Sequence, residues 1–474
     1  MHTDRRAAAT WAQRQKTGVT SSTERGKSAW RLRFAEPTPP PDTVRTRRTM
    51  KVVLSCNGSR GDVQPAMALG SALARRDHEV TLAVPPNLVS WAADSGLTTQ
   101  ACGIDTDELL GSDLVTRDLK SSNPVTRLRA VSEITLRGGS RLQHDLRAVG
   151  QGADVIIGGS AGQERILNVA ESLGIAYVPL HYCPIRKNSV VSPLPWLPPS
   201  ITAHSWTILE RILWHTSAST ENELRRELGL GRANTPAASR ITGQGVPELQ
   251  AYDPLLFPGL GDEWGRSRPL VGFLEYLPSR PKLQSDLTHR SLVDWLDAGP
   301  APLYVGFGSM KIGDPSIVEH AIVATAERLG LRVLLVTGGS HLSIDSPDDR
   351  FFVTSAIDHK TVLPRCTAAV HHGGAGSTAA SLRAGLPTGI CWFGADQPMW
   401  GRQLTRLGVG VSMPISRIDS DTLTSLVSAL IEPDRRRAAR ATATSMIKPE
   451  CAVASAITII EETVSPHLPN RGTR

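Results

Sequence analysis

No apolar run in this 474-residue chain approaches the ~20 residues that a membrane-spanning helix needs, so nothing in it is expected to cross a membrane. The basic start is followed by no apolar core and is therefore unlike a secretory signal. Six cysteines (Cys56, Cys102, Cys183, Cys366, Cys391, Cys451) form no C-x-x-C pair, which argues against a zinc site or a disulfide framework and suits a reducing cytoplasm. No cluster of carboxylates or histidines has metal-ligand spacing, so neither a metal nor another cofactor is expected. The body of the chain also lacks net charge. Residues 1–49 hold eleven Lys and Arg against four Asp and Glu, which accounts for the whole net charge of +7. The basic balance belongs to that segment, and the remainder gives no reason to expect nucleic acid as a partner.

What is present divides into an extension and two halves. Residues 1–49 are rich in Arg, Thr, Ser and Pro without hydrophobic periodicity, which predicts a disordered extension. A solvated tail is the first expectation, and contact with an anionic membrane surface the second. Met50 opens the first strand, so the preceding residues also suit an upstream misreading of the start.

From Met50 the pattern is strand, glycine-rich turn, helix, strand. Lys51 to Cys56 is β-rich, Asn57-Gly58-Ser59-Arg60-Gly61-Asp62 is the turn, Val63 to Arg76 has helical spacing, and His78 to Pro85 restores a strand. This is a βαβ opening, which implies an α/β fold with a parallel sheet. It is not the dinucleotide fingerprint, because G-x-x-G-D replaces G-x-G-x-x-G and no acidic residue ends the second strand. Strands are expected at Asp154 to Ile157 and Ala176 to Pro179, with a helix at Gln163 to Leu173 between them. Residues 183–218 carry Pro193, Pro195, Pro198 and Pro199 with Trp196, Trp206 and Trp214, and the amphipathic run Ile208 to Leu213. These suit a wall for an apolar ligand, with Trp196 and Trp206 as candidate acceptor contacts, or else ordinary core packing. The expected divisions are a first domain at 50–265, a linker region at 266–287, a second domain at 288–440, and a closing helix and tail at 441–474.

The second half restarts the alternation, with strands at Arg268 to Phe273, Leu303 to Phe307, Arg332 to Thr337 and Phe351 to Val353. Helices are expected at Pro315 to Leu329, Lys360 to Leu363, Thr422 to Ile431 and Cys451 to Val464. Its most informative stretch is His371-His372-Gly373-Gly374-Ala375-Gly376-Ser377-Thr378, which follows the apolar Ala368 to Val370 and precedes a helix-forming run. Unpaired N–H groups of a first helical turn, with the helix dipole, hold diphosphates at such a place. Glycines allow close backbone approach, while Ser377, Thr378 and a histidine add donors. Asp396-Gln397 follows the next strand, Thr388 to Trp392, where a carboxylate and an amide suit a pair of sugar hydroxyls. The combination reads as a grip on a sugar nucleotide.

Residues 58–86, 297–310 and 363–411 together resemble the inverting GT-B glycosyltransferases, in the subgroup that includes glycopeptide-antibiotic, macrolide, sterol and mycobacterial glycolipid enzymes. The resemblance spans Met50 to about Val464. It implies two doubly wound Rossmann-like domains facing a cleft, and metal-independent hexose transfer from a UDP- or dTDP-sugar to an acceptor hydroxyl with inversion. By that resemblance His372, Gly373, Gly374, Ala375, Gly376 and Ser377 hold the diphosphate and Ser309 caps it. Asp396 and Gln397 read the sugar, and residues 357–363, including Ile357, cradle the nucleobase. Asp62 matches the general base, with capping of its helix as the other reading of an Asp at that place. Ser59 and Arg60 are candidate diphosphate contacts from the first domain. Two further readings of the same residues stay open, a nucleotide-sugar 2-epimerase and a sugar-nucleotide-binding protein without catalysis. The expected partners are a nucleotide sugar and a small apolar or amphipathic acceptor, in the cytoplasm, with room for peripheral contact at the inner face of the membrane and no obligate protein partner.

Overall fold

Short runs of buried Val, Ile, Leu and Ala, each leading through a turn into a helix, build two parallel six-stranded sheets. The computed structural model describes residues 48–105, 124–193, 198–276, 286–344 and 348–464. The first half runs β1 (Lys51–Ser55), α1 (Arg60–Ala74), β2 (Glu79–Val84), α2 (Val89–Ala93), β3 (Thr98–Ala101), α3 (Pro124–Val149) and β4 (Val155–Gly158). It continues with α4 (Gln163–Leu173), β5 (Ala176–His181), α5 (Thr202–Glu227), α6 (Ala237–Gly243) and β6 (Leu249–Gln250). After α7 (Leu260–Trp264) and α8 (Asp286–Asp297) the second half runs β7 (Leu303–Gly306), α9 (Pro315–Leu329), β8 (Val333–Val336), β9 (Phe351–Thr354), α10 (His359–Val362) and β10 (Ala368–His371). Then come α11 (Ala375–Arg383), β11 (Thr388–Trp392), α12 (Gln397–Arg406), β12 (Gly410–Pro414), α13 (Ser420–Leu430), α14 (Pro433–Ser445) and α15 (Pro449–Val464).

The two sheets repeat one topology. Their orders are β3-β2-β1-β4-β5-β6 and β12-β11-β10-β7-β8-β9, so the winding reverses between β1 and β4 and again between β7 and β10. Leu54 pairs with Ile157 across the first reversal and Val305 with Val370 across the second. Ligands of open α/β sheets bind outside the strand ends at such reversals. The turns Gly58–Asp62 and His371–Ser377 leave the sheets there.

The last helix crosses back. Ala452, Ala456, Ile457, Ile460 and Val464 of α15 pack into the core formed by Met50, Val52, Leu69 and Leu73 of the first half, while Glu461 holds Arg76 at 3.0 Å and His78 at 3.2 Å. Each large aliphatic side chain buried there contributes roughly 1.5–3 kcal/mol before chain entropy is counted. Among the described residues, Pro433–Val464 is the one stretch long and apolar enough by composition to cross a membrane, which a search for a single apolar run passes over. It is two helices, broken at residues 446–448, and the apolar face of α15 fills a protein core.

Two expectations are corrected. Arg268 to Phe273 forms no strand, only a single bridge from Leu270 to Gln250. Pro269 has no N–H to give a ladder and Gly272 sits at φ +95°, while Val271 and Phe273 enter different cores. The helix expected from Val63 starts three residues earlier, at Arg60, because Ser59 caps it. The expected linker lies partly outside the described residues, and α8 begins before its end, at Asp286.

Candidate active site

The turn after β1 is closed by its own side chains. Ser59, the N-cap of α1, accepts from Gly61 N at 3.2 Å, and Asp62 Oδ2 accepts from Ser59 N at 2.9 Å, which makes a reciprocal capping box. Gly58 is required, since a Cβ there would lie 2.3 Å from Asp62 Oδ2. Tyr182 donates its hydroxyl to the Asp62 carbonyl at 3.0 Å. Burial pushes the Asp62 carboxyl up to about 6, against the lowering effect of the Ser59 amide, and the negative charge of Asp396 in the second half raises it further. Asp62 therefore lies near enough to the second half to feel the charge of Asp396.

The turn after β10 is built the opposite way. Gly374 is the N-cap of α11 and no side chain caps this helix, so its first N–H groups are left without an internal partner. His371 is buried and shapes the turn: its Nδ1 accepts from Gly373 N at 2.9 Å, so its Nε2 carries the proton and donates to Ser381 Oγ at 3.2 Å. Burial keeps this ring neutral, well below the usual histidine range. The His372 ring lies between two glycines, since a Cβ on Gly374 would come within 2.6 Å of its Nε2 and one on Gly308 within 3.0 Å of its Cε1. Its Nδ1 is buried without a hydrogen-bond partner, as is Thr378 Oγ1. Burial holds His372 down at about 4, so the free protein carries it neutral. Unpartnered buried polar atoms are costly, and a ligand that satisfies them recovers that cost. Ser309 is exposed just beyond β7, where Gly308 accepts from Gly339 N at 2.8 Å.

The turn after β11 carries Asp396 and Gln397. Trp400 Nε1 donates to Asp396 Oδ2 at 2.7 Å. Burial raises the Asp396 carboxyl, and the indole hydrogen bond opposes that. Gln397 Oε1 accepts from Phe393 N at 2.7 Å and its Nε2 makes only a weak contact to Met310 Sδ at 3.9 Å, so the amide N–H groups are what it can offer a ligand. Ala395 is held at φ +53°, a strained position for a residue with a Cβ. Among the described residues no group of three His, Cys, Asp or Glu is placed to hold a metal.

Residues 52–192 match the glycosyltransferase family 28 N-terminal domain, and residues 346–462 match the erythromycin biosynthesis protein CIII-like C-terminal domain. An uncharacterized glycosyltransferase of Mycobacterium bovis is 37% identical over 414 residues, covering 87% of this chain and 99% of that protein. The chain belongs to the GT-B glycosyltransferases. A sterol 3-beta-glucosyltransferase of Arabidopsis thaliana is 29% identical over 430 residues, and this chain spans 64% of its length. The calicheamicin glycosyltransferase CalG4 shares the fold with a TM-score of 0.65 at 15% identity, over 89% of this chain and all of that one. The glycosyltransferase VinC, solved in complex with dTDP, gives 0.60 at 18%, over 87% and 100%. The protein is thus an enzyme that transfers hexosyl groups, with the two-domain fold expected from its motifs.

Within this glycosyltransferase the remaining candidates are placed as follows. The Ser59 hydroxyl belongs to the cap, and the Arg60 guanidinium lies over the Trp91 ring at 5.4 Å, so both are engaged inside the first half. Ile357 is half-buried, packed against the core of Leu292, Tyr304 and Leu334, and Lys360 is exposed beside it. Trp206 is buried, with its indole N–H given to Val191 O at 2.8 Å, which fastens the proline-rich segment to α5. Trp196 lies outside the described residues. Sequence reasoning missed Tyr182 and Trp400, because each acts through a partner supplied by the fold; His371 was visible as part of the donor turn but not as the residue that holds the Gly373 amide, and the two glycines that bracket His372 were visible in the sequence only as glycines.

Proposed function

We propose that this glycosyltransferase moves a hexose from a UDP- or dTDP-sugar to a hydroxyl of an apolar or amphipathic acceptor, with inversion, without a metal, and with Asp62 as general base. The observations that carry this reading are a carboxylate pushed up to about 6, near enough to the second half to be raised by the charge of Asp396, and in that half an uncapped helix start with an unpartnered imidazole. Asp62 takes the proton from the acceptor hydroxyl as its oxygen attacks the anomeric carbon. The bond from that carbon to the diphosphate breaks, and the electron pair leaves with the nucleoside diphosphate. The α11 N–H groups and His372 stabilise the charge that develops there. Asp396 and the Gln397 amide hold the sugar hydroxyls, and Ile357 lies along the base. The dTDP held by the structural neighbour VinC is the kind of nucleoside diphosphate that such a donor would leave, which supports this reading.

An apolar acceptor is favoured by α5. From Ile208 to Thr216 no residue of this helix is buried, and Ile208, Ile212 and Leu213 are each more than half exposed. Such an apolar surface is unusual without a ligand or partner. The sterol enzyme among the relatives points the same way, and a cytoplasmic location with contact to the inner face of a membrane accompanies this reading. The test is a screen of UDP- and dTDP-sugars against sterol, glycolipid and macrocycle acceptors in EDTA, with the anomeric configuration of product and donor read by proton NMR. Retention of configuration, or activity that returns only with added magnesium or manganese, would reject the mechanism. Epimerised free sugar nucleotide as the main product would favour the epimerase.

A further inference from the structure

We propose that Trp400 is a positioning residue for the donor sugar: its indole N–H fixes the Asp396 carboxylate, and its ring anchors that carboxylate to aromatic side chains of the segment that joins the halves. The inference rests on the reading of Asp396 as a sugar contact.

Trp400 is fully buried one turn into α12 and reaches back to the residue that starts the helix, at 2.7 Å from Asp396 Oδ2. A hydrogen bond to an ionised acceptor is stronger than one between neutral groups and fixes direction as well as distance. One carboxylate oxygen is thereby occupied by a side chain of the same helix, and the Asp396 backbone amide adds to the stabilisation of the charge. The rest of the turn is fixed with equal care. Gln397 Oε1 holds the Phe393 amide, and Ala395 accepts a left-handed backbone that an unconstrained loop would relax.

The indole ring packs among side chains of its own half, such as Ile390 and Leu404, and also against three rings from outside that half. Its ring centroid lies 5.5 Å from Phe257, 6.0 Å from Phe273 and 6.3 Å from Tyr252, with Phe257 and Tyr252 in edge-on geometry. These three rings belong to the segment after β6 that joins the halves. The segment is itself held firmly: Tyr252 donates to Gln250 Oε1 at 2.8 Å, Asp253 Oδ2 accepts from Ile447 N at 2.7 Å, and Arg406 from the end of α12 donates to Leu256 O at 3.1 Å. A core aromatic residue needs no polar partner on the ligand side, and a sugar-reading Asp needs no aromatic cluster. Trp400 joins the two, so the orientation of Asp396 depends on how the halves are seated.

The test separates sugar from nucleotide. Calorimetry with UDP-glucose and UDP, and with dTDP-glucose and dTDP, compares the wild type with Trp400→Phe, which keeps a ring in the cluster and removes the N–H. The expected result is binding of the sugar nucleotide weakened about tenfold, the loss of one hydrogen bond to a charged group, with the nucleoside diphosphate unchanged. In the background of Asp396→Ala, which removes the acceptor of the indole N–H, Trp400→Phe should add no further loss. Equal weakening of both ligand types would mark a merely structural role, and unchanged binding of both would also overturn the inference. If Trp400→Phe does not fold, indole N–H resonances of the 15N-Trp-labelled wild type take its place. One should move with UDP-glucose, stay with UDP, and lose that response in Asp396→Ala; the absence of such a resonance overturns the proposal. A wild type that binds UDP and dTDP but gains nothing from the attached sugar would refute the Asp396 reading itself.

Discussion

Two turns at matching places in the fold are built in opposite ways. Each follows the first or fourth strand of its sheet, each is rich in glycine, and each opens a helix at a winding reversal. The turn at Gly58–Asp62 closes its helix with Ser59 and Asp62, so a negative charge already occupies the positive end of α1. The turn at His371–Ser377 leaves α11 uncapped behind Gly374, with buried His372 Nδ1 lacking a partner. A helix start that carries its own carboxylate disfavours a second anion and suits the proposed base, whereas an open one suits the diphosphate of the proposed donor. The comparison also resolves a choice the sequence left open for Asp62: it is a capping residue, and capping is compatible with the proposed role because burial more than offsets the amide that stabilises the charge.

The largest effect should come from removing the charge at the closed turn. Asp62→Asn keeps the acceptor atom of the capping box and should lower kcat by roughly 100-fold or more, with donor affinity nearly intact. Turnover within a few fold of the wild type would show that the cap is all that Asp62 provides. At the open turn, His372→Ala should instead weaken binding of the sugar nucleotide by an amount on the order of 1.5–3 kcal/mol, measurable by calorimetry. Unchanged affinity in that variant would remove the contrast between the turns.

The pH profile sharpens the same comparison. The Asp62 carboxyl is raised in the folded enzyme, so the base form is present above about 6 and is lost as pH falls through that value. The acid limb of kcat/KM should therefore lie near 6 and should vanish from the residual activity of Asp62→Asn. A limb that persists in the variant would belong to another group. The smallest effect is expected from Ser59→Ala, which removes the cap hydroxyl while the backbone amide to Asp62 remains. Unfolding stability should fall by ~0.5–2 kcal/mol, with little change in turnover. A large loss of turnover there would mean that the Ser59 hydroxyl touches substrate.

The sequence by itself determined the two βα alternations, the positions of most strands and the two glycine-rich turns, because these depend on local periodicity and on turn residues a few positions apart. Gln163 to Leu173, Pro315 to Leu329 and Thr388 to Trp392 form the elements expected of them, end to end. The glycosyltransferase family was legible for the same reason, since its motifs are contiguous. Only the tertiary structure decided that α15 returns to the first half, since a helix face rich in Ala and Ile shows that it is buried but not against what. Only it decided that Arg268 to Phe273 is a crossing rather than a strand, that Arg60 rests on Trp91, and that Trp400 links Asp396 to rings about 130–150 residues earlier in the chain. Those facts are relations between distant segments, set by which apolar faces and charges meet once the chain has folded, and no local pattern carries them.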